Sequence, residues 1–177
     1  MKPSEAFIMT GSGVKLHPFK PDFTKIPPED IALGLSNECR WGGQLHKFYS
    51  VAQHSVLVSL EAESYALLAK FSPRFAGAVG MAGLLHDGPE GLGFRDLPTP
   101  VKRFLPEYQA AEQNMLRLLI LTYMKTYIRN PEPAGELYKW VSVERHAGIE
   151  VSEMVLCNYV HHADVAVLAA ERRDLRP

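Results

Sequence analysis

An all-α fold, a helical bundle preceded by a short β-hairpin, is predicted by three features of the sequence. Apolar residues recur at three- and four-residue spacing in segment after segment from about residue 28 onward. Prolines and small polar residues stand where such segments begin. Strict apolar/polar alternation is nearly absent.

The one extended stretch is 6–16, FIMTGSGVKLH, two short pieces around Gly-Ser-Gly that read as a small hairpin. Pro27 and Pro28 suit the start of a helix over EDIALGLSNEC, whose Ile31, Leu33 and Leu35 precede a break at Gly42-Gly43. Ser50 and Gln53 have the spacing of a capping box and open a helix to about Phe71. Ser72 followed by Pro73 caps a third helix, running to about Asp87. Pro98–Leu105 is expected to form a short helix. Pro106 begins a long one, EYQAAEQNMLRLLILTYMKTY, that ends before Asn130-Pro131. Residues 134–157 and 158–173 supply the last two helices. No repeat, low-complexity tract or linker divides the 177 residues, so a single domain with one core is expected.

Composition narrows the function classes. Apolar residues make up 46% and charged residues 22%, with a formal net charge of −1. That balance argues against a nucleic-acid binder, which needs a basic surplus, but leaves room for a small anionic substrate gripped by a few cations. Cys39 and Cys157 form no Cys-x-x-Cys pair and read as core thiols. No run of about 18 apolar residues exists, and the opening MKPSEAFIM lacks a signal-peptide pattern, so a cytoplasmic protein without a membrane partner is expected.

The informative residues are polar ones on apolar faces. His54 shares a helical stripe with Val51, Val58, Ala62 and Tyr65, and His86 shares one with Phe75, Val79 and Ala82. Asp87 lies about 100° further round from His86. Asp164 shares a face with Val160, Val167 and Leu168. Each has an ordinary explanation taken alone: a hydrogen-bonded core histidine, a helix-end aspartate, a carboxylate paired with arginine. A divalent cation accounts for all four at once, and a mixed imidazole–carboxylate set suits Mn, Co, Fe or Zn. Spacing alone leaves both explanations standing.

The order His…His-Asp…Asp, here His54, His86-Asp87 and Asp164, resembles the HD-domain metal-dependent phosphohydrolases. ECRW (38–41), FYSVAQHSVLVS (48–59), LLHDGPE (84–90), DLPTPVK (96–102) and ADVAVLAAERRDL (163–175) look like their small branch of 5′-deoxynucleotidases and phage-type deoxynucleoside triphosphohydrolases. The likeness extends from about residue 28 to 175. It implies one divalent metal (Mn, Co, Zn or Mg) held by His54, His86, Asp87 and Asp164, lowering the pKa of a water and polarising a phosphoryl oxygen. Glu90 matches a catalytic glutamate that orients or deprotonates that water, and Asp96 a second carboxylate near the leaving group. Arg40 and Lys102 match phosphate-gripping cations. Trp41 matches an aromatic that packs against the sugar and excludes a 2′-hydroxyl; its alternative is a tryptophan closing the core.

The match is not uniform. HDGPEGLGFRDLP carries an extra residue between Glu90 and Asp96. His161 stands where relatives often have a lysine, and would contact phosphate when protonated or else lie with His162 on the helix surface. His46, in the loop GGQLHKFYS, reads either as a contact to polyphosphate or base or as a surface histidine. Arg40, Lys102, Arg103, Arg95 and His161 are more cations than one phosphate needs, and FYSVAQHSV looks like phage-borne relatives that act on dATP. The leading expectation is therefore a deoxynucleoside triphosphohydrolase releasing deoxynucleoside and triphosphate. The alternatives are a 5′-deoxynucleotidase on monophosphates, a non-catalytic nucleotide sensor, or a helical scaffold whose histidines only pack. Apolar helices such as MLRLLILTYM, with the family tendency, suggest a homo-oligomer.

Overall fold

The protein is described by a computed structural model covering residues 5–124 and 159–175. The helix expected at 134–157, the last residues of the long helix and Cys157 lie outside the described residues. Within them the chain is all-α with a two-stranded antiparallel ribbon at its start. Strands β1 (Ile8–Met9) and β2 (Lys15–Leu16) pair Ile8 with Leu16 and Met9 with Lys15. The helices are α1 (Pro28–Asn37), α2 (Val51–Leu68), α3 (Pro73–Leu85), α4 (Thr99–Lys102), α5 (Pro106–Tyr123) and α6 (His161–Asp174). Short 3-10 turns occupy Trp41–Gly43 and Gly88–Leu92. Among the described residues no helix is long and apolar enough to cross a membrane.

The helix starts follow the local chemistry. The Ser50–Gln53 box closes reciprocally: the Ser50 N–H donates to Gln53 Oε1 at 2.9 Å, and the Gln53 N–H donates to Ser50 Oγ at 3.1 Å. Ser72 Oγ accepts the Phe75 N–H, with Pro73 in the first turn of α3. In α1, buried Asp30 accepts both the N–H (2.8 Å) and the hydroxyl (2.6 Å) of Ser12, tying the hairpin turn to the helix.

Two helix ends fall short of the expected positions. α2 stops at Leu68 rather than near Phe71, because Lys70 turns left-handed (φ 64°). The Lys70 and Phe71 N–H groups then reach back to the carbonyls of Leu67 and Ala66, a Schellman ending without glycine. α3 stops at Leu85, because Pro89 supplies no N–H and its ring would collide with the Leu85 carbonyl four residues earlier.

Two compact units can be distinguished. In the first, Met1–His54 with Asp87–Thr122 and Asp174–Pro177, the core includes Leu16, Ile31, Leu35, Leu92, Phe94, Met115 and Leu119. Here α1 lies directly on the Gly88–Leu92 turn: a Cβ on Gly34 would stand 1.8 Å from the Gly91 carbonyl oxygen, and one on Gly91 2.8 Å from that of Ile31. Phe94 packs edge-on against Tyr108 of α5. The second unit, Ser55–His86 with Tyr123–Arg173, buries Val58, Ala62 and Ala66 of α2 and Phe75, Ala78, Val79 and Ala82 of α3. Ser59 donates its hydroxyl to the Gly80 carbonyl at 2.7 Å, and Phe71 packs against the tilted ring of Phe75 and edge-on against Tyr159.

The backbone contact between α1 and the Gly88–Leu92 turn leaves no room for a methyl group. Gly34→Ala is expected to destabilise the protein by about 3 kcal/mol through forced backbone displacement. Urea denaturation measures this; an unchanged midpoint would contradict the contact.

Candidate metal centre and charged cluster

His54 lies in the first turn of α2, where the capping box fixes the backbone, and is completely buried. Its Nε2 stands 3.7 Å from Asp87 Oδ2. Asp87 sits in the break that Pro89 makes after α3, with φ −99° and ψ 12°. The same carboxylate oxygen accepts a hydrogen bond from Arg40 Nη1 at 3.3 Å. Arg40 is itself only 8% exposed; its backbone N–H donates to the Tyr49 carbonyl, beside the isolated antiparallel bridge joining Cys39 to Ser50. The segment that delivers Arg40 is therefore stitched to the start of the helix that delivers His54.

His86 follows the last residue of α3, and its Nδ1 lies 2.7 Å from the Gly83 carbonyl. A carbonyl can only accept, so Nδ1 carries the proton and Nε2 keeps its lone pair for a ligand. His54, His86 and Asp164 each offer one ligand atom, and these three atoms lie within 4.8 Å of one another. This group could hold a metal ion: two imidazoles and a carboxylate form a mixed N/O set suited to a borderline divalent cation. Asp87 is outside the three, but adjoins His54.

Glu90 lies in the Gly88–Leu92 turn, 6% exposed, with its N–H donated to the Asp87 carbonyl. Its Oε1 is 3.6 Å from Lys102 Nζ, and its Oε2 is buried with no hydrogen-bond partner among the described residues. Burial first, then the neighbouring charges of Asp87 and Asp96, push the Glu90 carboxyl up to about 10. Lys102 also donates to Glu112 Oε1 of α5 at 2.8 Å. Burial lowers the Lys102 pKa, but the hydrogen bond and charge of Glu112 outweigh it and the net shift is upward. Burial raises Glu112 and Asp96 as well, against the opposing pull of Lys102 on the first and Arg40 on the second.

Trp41 is half-buried and takes a left-handed backbone (φ 61°), which costs a non-glycine residue about 1–2 kcal/mol. Its N–H donates to Asp96 Oδ2 at 3.1 Å. Arg40, Trp41, His54, Asp87, Glu90, Asp96 and Lys102 are thus linked through this network. The other expected contacts stand differently. His46 is exposed in its loop, and His161 is exposed at the start of α6 with its ring 6.2 Å from that of His162. Arg95 forms a close ion pair with Glu38, and Arg103 is exposed. The residue that sequence reasoning missed is Glu112. Its signal was present: Glu112, Met115 and Leu119 share one face of α5, and the two apolar members are buried.

A carboxyl whose pKa is raised on folding holds its proton longer in the native state than in the unfolded chain. The stability associated with Glu90 is therefore complete below about pH 4.3 and declines as pH rises toward 10. In chelator-treated protein, Glu90→Gln should gain Tm relative to the parent, more at pH 8.5 than at pH 5.5. A difference that does not vary with pH would contradict the assignment.

No protein-family model matches the chain. YfdR, an uncharacterized protein of Escherichia coli K12, is 33% identical over 171 residues, which span 96% of this chain and 72% of YfdR. An uncharacterized protein of Rhodobacter capsulatus is 41% identical over 93 residues, 51% of this chain and 44% of its own length. Similarity along nearly the whole chain means that it belongs to the family of YfdR.

Proposed function

We propose that the protein is a metal-dependent phosphohydrolase acting on 2′-deoxynucleotides. The grouping of His54, His86 and Asp164 carries this reading. The carboxylate-rich cluster of Asp87, Glu90, Asp96 and Glu112 supports it, because its negative charge exceeds what Arg40 and Lys102 balance. A divalent cation at the histidines supplies Lewis acidity and makes a water easier to deprotonate at neutral pH.

The remaining chemistry falls to the side chains. Glu90 accepts the proton of the attacking water, since added positive charge nearby brings its raised pKa back toward the working range of a general base. The water oxygen bonds to the phosphorus linked to the 5′ oxygen of the sugar, the phosphorus–O5′ bond breaks, and the leaving 5′ oxygen takes up a proton from solvent to give the deoxynucleoside hydroxyl. Arg40 and Lys102 offset charge gathering on the phosphoryl oxygens. Trp41 packs against the sugar.

With a triphosphate the products are deoxynucleoside and tripolyphosphate, and this is the leading reading. A monophosphate, giving orthophosphate, is the second, and one observation favours it. The Arg95–Glu38 pair occupies a cation that a polyphosphate would otherwise recruit.

Incubation with each dNTP and dNMP plus Mn²⁺ or Co²⁺ separates the two by product: tripolyphosphate supports the first, orthophosphate from monophosphates the second, and no hydrolysis of any of them removes the proposal. Chelation should abolish turnover and cation addition restore it. His54→Ala should lose bound metal and activity together. Glu90→Gln should keep its metal while kcat falls about 10²–10⁴-fold.

A further inference from the structure

We infer that Asp96 is a positioning residue whose carboxylate latches the turn Arg40–Gly43, holding Trp41 left-handed and keeping Arg40 beside Asp87. The inference rests on the phosphohydrolase reading for the reaction it serves, and departs from it in taking Asp96 out of the chemical step.

The turn is unusual in its backbone. Trp41, Gly42 and Gly43 have φ of 61°, 59° and 77°, three left-handed residues in succession. Glycine adopts this conformation freely, whereas tryptophan does so only where its surroundings impose it. Hydrogen bonds within the turn, from the Gly43 N–H to Arg40 and from the Gln44 N–H to Trp41, shape it but do not fix its direction. Beside the Arg40–Asp87 pair, a backbone contact ties it to a distant part of the chain: the Trp41 N–H donates to Asp96 Oδ2, across 55 residues of sequence.

Asp96 is well placed to serve as an anchor, because the residue before it is held on three sides. The Arg95 N–H donates to the Tyr108 hydroxyl at 2.8 Å, and that hydroxyl donates back to the Arg95 carbonyl at 3.1 Å. The Arg95 guanidinium pairs with Glu38, two residues before Arg40. Tyr108 in turn packs on buried Phe94. A carboxylate mounted on this frame and aimed at a backbone N–H fixes where the adjoining guanidinium of Arg40 is delivered. That guanidinium is the group 3.3 Å from Asp87.

Asparagine offers the same carbonyl-type acceptor to the Trp41 N–H but cannot act as an acid or base. Two readouts on Asp96→Asn and Asp96→Ala therefore test the latch: amide hydrogen exchange of Trp41 by NMR, and KM and kcat on the best substrate of the deoxynucleotide panel. Asp96→Ala should speed Trp41 exchange about tenfold or more and raise KM about tenfold, and Asp96→Asn should recover most of both losses. Wild-type exchange in Asp96→Ala would overturn the latch. So would an Asp96→Asn protein that protects Trp41 yet is as slow as Asp96→Ala, since the carboxyl would then act in the chemistry. If the wild type hydrolyses no nucleotide, the phosphohydrolase reading fails; Trp41 exchange in the two variants still decides for or against the latch.

Discussion

Four carboxyl groups, Asp87, Glu90, Asp96 and Glu112, share a partly buried region with two cations, Arg40 and Lys102. Partial burial weakens the solvation of these groups, and like charges at short range raise one another's pKa. The chain answers in two ways. Lys102 is divided between Glu90 and Glu112, and Arg40 meets Asp87, so each cation is committed to a carboxylate. Glu90, the most buried of the acids, responds by holding its proton. A cluster with this imbalance favours a bound cation for electrostatic reasons that do not depend on the identity of its relatives. The histidine pair with Asp164 offers a donor set for one.

Ordinary backbone rules put these groups where they are. Pro89 ends α3 at Leu85, so His86 and Asp87 emerge at a break instead of continuing a helix. The turn that follows reaches α1 because Gly34 and Gly91 let two backbones touch. That contact seats Glu90 next to Lys102, and Glu112 arrives on the same face of α5 as Met115 and Leu119, pressed inward by their burial. Packing demands therefore position the acids, and the acids in turn create the demand for positive charge.

Much of the fold was legible in the sequence. The Ser50–Gln53 and Ser72–Phe75 caps, the hairpin around Gly-Ser-Gly and the inward stripe of Val51, His54, Val58 and Ala62 follow from spacing, because each is a local hydrogen-bonding or periodicity rule. What escaped was non-local or rested on an unusual conformer. Lys70 ends α2 in a left-handed state that glycine normally provides, and a lysine gives no warning of it. Trp41 is the same kind of exception. Arg95 looked like a spare cation because Glu38, its partner, is 57 residues away. The histidines and Asp164 were legible as inward residues, but their convergence required the folded coordinates, since periodicity orients a side chain within its own helix only.

The reciprocal Ser50–Gln53 cap has a further implication for how a cation would be received. First turns are where helices fray, and His54 occupies one. A doubly closed cap suppresses that fraying, so the imidazole waits in its final orientation instead of being recruited from a disordered end. Little ordering entropy would then be left to oppose capture, and a cation taken up by this group would meet a donor already prepared for it.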